Sequence, residues 1–183
     1  DKTVAVEASK GTPYGIFGFG TSYVSTTNLV SATGVVGTDV AGVGTGRTGV
    51  GACEYGEDKG IFAYGYTPGT SYLNMSNLVS NTGVVATDTS GVGTARSALA
   101  SCEYGDDKAI FGFGDTGSLT AITNLVSNTG VVATDTSGVG TARSSIAACD
   151  YGFDKGIFAY GFDASARTAV SNKVSNTGVV ATD

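Results

Sequence analysis

The sequence predicts an all-β fold of short antiparallel strands, and three observations carry that expectation. A stretch of 21 residues, Asn77–Ser97 (NLVSNTGVVATDTSGVGTARS), returns unchanged at Asn124–Ser144, with a looser copy at Asn28–Thr48 and a truncated one at Asn172–Asp183. An Ile-Phe pair recurs at Ile16-Phe17, Ile61-Phe62, Ile110-Phe111 and Ile157-Phe158, in steps of 45, 49 and 47 residues. No segment sustains a 3.6-residue apolar period, while glycine is abundant (29) and proline rare (2), as in a chain of strands joined by glycine turns. Four strands in a repeat of this length are the signature of a propeller blade, since a solenoid coil is usually shorter. The expected fold is therefore a β-propeller of four blades, each with four antiparallel strands. It forms one domain over 1–183, with blades at about 1–42, 43–91, 92–138 and 139–183.

The third repeat shows how the elements are expected. Arg96–Gly105 (RSALASCEYG) alternates small and apolar residues, which suits a first strand in a crowded position. Asp106-Asp107 marks a turn. Lys108–Gly114 (KAIFGFG) is rich in aromatic and β-branched residues and reads as a buried second strand whose glycines leave room for close neighbours. The third strand is expected at about Ile122–Ser127, a tight hairpin at Asn128-Thr129-Gly130, and the fourth strand at Val131–Asp135. Thr136–Thr141 is a polar glycine loop leading to Arg143 and the next repeat. One such blade cannot bury both faces alone, so neighbours must stack.

An arginine before a small-apolar strand, a Tyr-Gly turn, an apolar strand ending in glycine and a Val-rich segment with a terminal Asp together resemble the kelch repeat. The kelch pattern has a double glycine after the second strand. This chain carries Gly18-Phe19-Gly20, Ala63-Tyr64-Gly65, Gly112-Phe113-Gly114 and Ala159-Tyr160-Gly161 there, and it lacks the kelch tryptophan. The wording of the 21-residue stretch also resembles kelch-like repeats in tail and other virion proteins of bacteriophages. That resemblance implies a virion or extracellular setting.

The ends bear on blade count. Lys2 aligns with Arg47, and Asp183 aligns with Asp39, Asp88 and Asp135. A closed four-bladed ring is the preferred reading. Two chains sharing a larger ring, or a cut from a longer array, are the alternatives. Beginning at Asp1 without Met or a signal peptide, the chain reads as a processed product or a segment of something longer.

Composition excludes several function classes. The net charge of −6, with no basic cluster, argues against nucleic acid. No apolar window is long enough to span a membrane as a helix. With no histidine, Ser-His-Asp and Cys-His arrangements are impossible, and the sequence offers no catalytic residue, no metal pattern and no cofactor motif. Cys53, Cys102 and Cys149 sit at equivalent positions of three repeats and read as small buried hydrophobes. The acidic turns Glu54…Glu57-Asp58, Glu103…Asp106-Asp107 and Asp150…Asp154 each precede a lysine and read as solvated charges.

Two groups remain as candidate ligand-binding residues. Arg47, Arg96 and Arg143, with Lys2 in the fourth place, would ring one channel mouth and hold a carboxylate or phosphate. Alternatively they are scaffold, paired with Asp39, Asp88, Asp135 and Asp183 across blade junctions. The second group comes from the loops between second and third strands, which vary while the glycine loop and the hairpin are near-identical between repeats. They carry Tyr23, Tyr66, Tyr72 and Arg167, suited to recognition and to stacking on sugar faces. The expected function is a non-enzymatic structural or adhesive module whose partners are other subunits of an assembly, including copies of itself. The alternative is a lectin-like propeller that binds surface glycans.

Overall fold

The tyrosine-glycine turn between the first two strands of the second, third and fourth repeats sets the local structure. In the third repeat Gly105 (φ 60°) and Asp106 (φ 69°) both lie in the left-handed region. This twists the chain into a tight hairpin that pairs Tyr104 with Lys108. The same pair of positive φ values recurs at Gly56-Glu57 and Gly152-Phe153. The computed structural model describes residues 15–69 and 71–183. Lys2 and the expected first strand of the first repeat lie outside the described residues.

Among the described residues the fold is all-β, with one short 3-10 turn at Thr21–Tyr23. The first repeat contributes β1 (Gly15–Gly18) and β2 (Thr27–Val30). The second has β3 (Gly51–Tyr55), β4 (Lys59–Thr67) and β5 (Ser71–Val79), and the third has β6 (Ala100–Tyr104), β7 (Lys108–Gly112) and β8 (Thr123–Val126). The fourth has β9 (Ala147–Tyr151), β10 (Lys155–Ala159) and β11 (Ser171–Val174). Each repeat forms its own antiparallel sheet: β1 pairs with β2 in the first among the described residues, and the other three sheets are three-stranded with β4, β7 or β10 in the middle. Among the described residues no helix is long and apolar enough to cross a membrane.

The fourth strand expected in each blade is not formed as a strand. In the third repeat the segment after the hairpin touches β8 through isolated bridges at Val126↔Val132 and Thr123↔Thr136. Between these bridges the Asn124 side chain donates to the Ala133 carbonyl at 3.0 Å and to the Asp135 carboxylate at 2.9 Å. A side chain thus takes the acceptor that a continuous ladder would use. Asn77 and Asn172 do the same in their repeats.

Successive sheets stack face to face, and one apolar cluster fills each junction. Phe62, Val79 and Val85 of the second repeat pack against Ile16 and Phe19 of the first. Phe111 and Val126 of the third meet Tyr55, Ile61 and Tyr64 of the second. Phe158 and Val174 of the fourth meet Cys102, Ile110 and Phe113 of the third. Burial of each such phenylalanine stabilises by about 1.5–3 kcal/mol. The rings need space on the facing sheet, and glycine provides it. A methyl group on Gly112 would lie 2.8 Å from Cζ of Phe158, and one on Gly51 would lie 2.8 Å from Cδ1 of Phe111.

Backbone hydrogen bonds also cross the junctions. Ala98 N–H donates to Gly49 O at 3.1 Å, Ser145 N–H to Ala98 O at 2.9 Å, and Gly105 N–H to Asp154 O at 2.8 Å. No such bond joins the fourth repeat to the first among the described residues. Among the described residues both ends of the stack are open. Phe17 is 66% exposed and Tyr160 62% exposed, whereas their counterparts Phe158 and Phe113 are fully buried.

Candidate functional site

An aromatic residue in the left-handed region follows β1, β7 and β10 and sits at the bulge of β4: Phe19, Phe113, Tyr160 and Tyr64 have φ of 62–63°. Such a conformation costs a non-glycine residue about 1–3 kcal/mol, so the surroundings must hold it in place. The arginines do this from two sides. Arg47 Nε donates to the Tyr64 carbonyl at 2.7 Å in its own repeat, while its guanidinium carbon lies 4.3 Å from the Phe19 ring centroid in the preceding repeat. Arg96 repeats the pattern with the Phe113 carbonyl and the Tyr64 ring, and Arg143 with the Tyr160 carbonyl and the Phe113 ring.

Most of the remaining arginine donors are also engaged. Nη1 of Arg47, Arg96 and Arg143 donates to the carbonyls of Thr45, Thr94 and Thr141. Nη2 of Arg47 and Arg143 donates to the Oδ1 atoms of Asn77 and Asn172. In the third repeat the corresponding Arg96 Nη2 and Asn124 Oδ1 have no hydrogen-bond partner. All three arginines are fully buried. Burial lowers Arg47 to about 10, with the Asp88 carboxylate opposing the shift, and it lowers Arg96 and Arg143 in the same direction.

The expected pairing with aspartate is present in a different place. Arg47 lies 3.9 Å from Asp88 and Arg143 lies 3.9 Å from Asp183, each within one repeat rather than across a junction. What crosses the junction is the stack on the aromatic ring. Asp88 also accepts from Thr45 N–H and Oγ1–H at 2.9 and 2.7 Å, so it ties the start of the repeat to its end. Thr94 with Asp135 and Thr141 with Asp183 are the same latch. Burial would raise Asp88 and Asp135, but the hydrogen bonds from Asn and Thr outweigh it and hold both below the ordinary carboxylate range. For Asp183 the Thr141 hydroxyl is the main cause of the same lowering. Gly44, with φ 82°, precedes this latch because a Cβ there would run into the Asp88 carboxylate.

The arginines thus stand inside the wall between repeats and offer no exposed surface. The acidic turns are tied as well. Asp58 pairs with Lys59 at 2.6 Å and accepts from Asn81 at 3.1 Å, and Asp107 pairs with Lys108 at 2.7 Å and accepts from Asn128 at 2.8 Å. Asp154 pairs with Lys155. Among the described residues no three Cys, Asp or Glu side chains come together as a metal site. The cysteines are free and differ from one another: Cys102 is buried, Cys53 half-buried and Cys149 exposed. The expectation of three buried thiols fails at Cys149, because none of the described repeats covers that face. Burial pushes the Cys102 thiol up to about 12 and raises Cys53 as well.

The exposed candidates are the tyrosines expected on loops; only Tyr23 lies outside a strand, because β4 and β5 extend to a tight turn and pair Tyr66 with Tyr72, and the fold brings the three together. The Tyr23 and Tyr66 ring centroids are 6.3 Å apart, and those of Tyr66 and Tyr72 are 5.4 Å apart in an edge-to-face arrangement. Tyr23 is 37% exposed, and the other two are half-buried. The row therefore runs from the 3-10 turn of the first repeat onto the β4–β5 hairpin of the second. Desolvation and the nearby Asp115 carboxylate raise the Tyr72 phenol above its ordinary value. Arg167 is not part of this row. It pairs with Phe162 in the loop of the fourth repeat and lines a shallow cavity with Ser144, Ser145 and Tyr160. A second cleft of about 280 Å³ lies between the first two repeats, lined by Ile16, Leu29, Cys53, Glu57, Lys59 and Val79.

Comparison with protein-family models and with curated proteins returned no match to this chain.

Proposed function

We propose that this chain is a non-enzymatic repeat module, a set of propeller blades that serves as a structural or adhesive part of a larger assembly. A virion, with the module in a phage tail, or another extracellular structure is the setting that suits it. The observation that carries this reading is where the repeated polar residues are spent. Arginine, asparagine, aspartate and threonine recur at the same places and bond to one another within a repeat, as with Arg47, Asn77, Asp88 and Thr45. The repeated chemistry builds the wall, and the side chains that vary lie on the loops.

A second reading has its own support in the tyrosine row. Three phenol rings within 6.3 Å of their neighbours offer apolar faces and hydroxyl edges, which suits stacking against a sugar ring. A glycan array probed with the intact chain separates the readings. The structural reading expects no glycan to be retained. The lectin reading expects retention that a Tyr66→Ala variant abolishes. Release of a cleaved product from any arrayed glycan would overturn the non-enzymatic reading.

A further inference from the structure

Every junction in this molecule has two halves, and the two ends of the stack expose one half each. The leading half of a repeat is a phenylalanine and two valines: Phe158, Val174 and Val180 in the fourth repeat. The trailing half that receives it carries a cysteine, a tyrosine, a small residue and an aromatic: Cys102, Tyr104, Gly112 and Phe113 in the third. At the front of the stack, Phe17 and Val36 are 66% and 55% exposed. They are the repeat equivalents of Phe158 and Val180. At the back, Cys149, Tyr151, Ala159 and Tyr160 stand where Cys102, Tyr104, Gly112 and Phe113 stand in the third repeat. Tyr151 and Tyr160 are 38% and 62% exposed, against 4% and 0% for Tyr104 and Phe113. The two open faces are therefore the halves of one more junction of a kind the chain forms twice among the described residues.

We propose that a second copy of this chain docks head to tail on the first, with Phe17 of one copy seated on Ala159 and Tyr160 of the other, as Phe111 packs in one cluster with the equivalent Ala63 and Tyr64. The inference rests on the assembly reading above and names its partner. Phe17 and Tyr160 are both open within a single chain, so the chain's own ends do not satisfy each other through them. The contact is heterologous: one face meets a different face and propagates until curvature closes the ring. One substitution tunes its strength. Lys173 occupies the position held by Leu29, Leu78 and Leu125 in the other repeats. Its aliphatic stem can cover what leucine covers while the ammonium reaches water, which makes this junction weaker and more reversible than the internal ones.

Light scattering of the full chain from about 1 μM to about 1 mM, the range of weak reversible association, reads the contact directly. The expected result is a mass that rises with concentration from one chain to a multiple of it. Phe17→Ala holds the mass at one chain, and Lys173→Leu tightens association about tenfold. A second variant tests the register. In the internal junction a Cβ on Gly156 would lie 2.5 Å from Cys102 Sγ. Gly15 and Cys149 are the repeat equivalents of that pair. Gly15→Cys should then give a reducible intermolecular cross-link under mild oxidation, and the same variant carrying Cys149→Ser should not. A one-chain mass at every concentration overturns the proposal, as does a cross-link that survives Cys149→Ser. Glycan turnover would refute the assembly reading without altering the mass, so the two failures are distinguishable.

Discussion

Arg143 lies over the ring of Phe113, its guanidinium carbon 4.2 Å from the ring centroid, although the two residues belong to successive repeats. The same arginine donates to the Tyr160 carbonyl in its own repeat at 2.9 Å. One side chain therefore braces two aromatic turns at once, and the arrangement recurs at Arg47 and Arg96.

Truncating such an arginine should be costly. Arg96→Ala removes a fully buried cation and its acceptors lose their donor. Loss of one member of a buried polar set costs about 3–5 kcal/mol, and chemical denaturation should show a fall of that order. Arg96→Lys should recover little of it, because an ammonium cannot both stack flat on Tyr64 and donate along two directions.

Acid should loosen the latches between repeat starts and ends. Asp88, Asp135 and Asp183 are held below the ordinary carboxylate range in the folded chain. A carboxyl whose folded pKa is depressed contributes stability that is full above its unfolded value, about 3.9, and is lost as pH falls through the folded value. Urea midpoints should therefore hold steady at neutral pH and drop below about pH 4. Asp135→Asn should lower the neutral midpoint and shrink the acid-dependent drop, because one titrating latch is gone.

Much of this architecture was legible in the sequence. The second strand expected at Lys108–Gly114 appears as Lys108–Gly112, and the third expected at about Ile122–Ser127 appears as Thr123–Val126. Both are anchored by glycine turns and β-branched or aromatic residues, which are local signals. Val131–Asp135 carries the same signals and is not a strand, because the Asn124 side chain competes for the Ala133 carbonyl. That competition depends on tertiary placement. The arginines illustrate the same limit. Their spacing marked them as a set, but only the stacked sheets show that their rings of contact lie inside the wall and that their aspartate partners are in the same repeat. The tyrosines stood out in the composition of expected loops, but the extension of β4 and β5 through Tyr66 and Tyr72 and the approach of Tyr23 to Tyr66 of the next repeat were not visible. Three cysteines at one repeat position gave no hint that Cys149 alone would be exposed, since exposure there depends on whether a neighbouring repeat packs over the thiol, not on the residues around it.

Thiol chemistry should separate these equivalent cysteines. In dilute native chain, alkylation and then peptide mass analysis should find Cys149 labelled first. Cys102, buried and with its thiol pushed up to about 12, should remain unlabelled until the chain unfolds. Raising the protein concentration should slow Cys149 labelling as the trailing face becomes covered.

Face-to-face stacking of successive repeats is tested most directly by paired thermal unfolding of Phe158→Ala and Phe17→Ala, in dilute solution where single chains prevail. The two phenylalanines hold the same place in their repeats, but Phe158 is fully buried against Gly112 and Phe113 while Phe17 is 66% exposed. Stacking predicts a loss of about 3–5 kcal/mol for Phe158→Ala and a change within about 0.5 kcal/mol for Phe17→Ala. Equal losses at the two positions would contradict it.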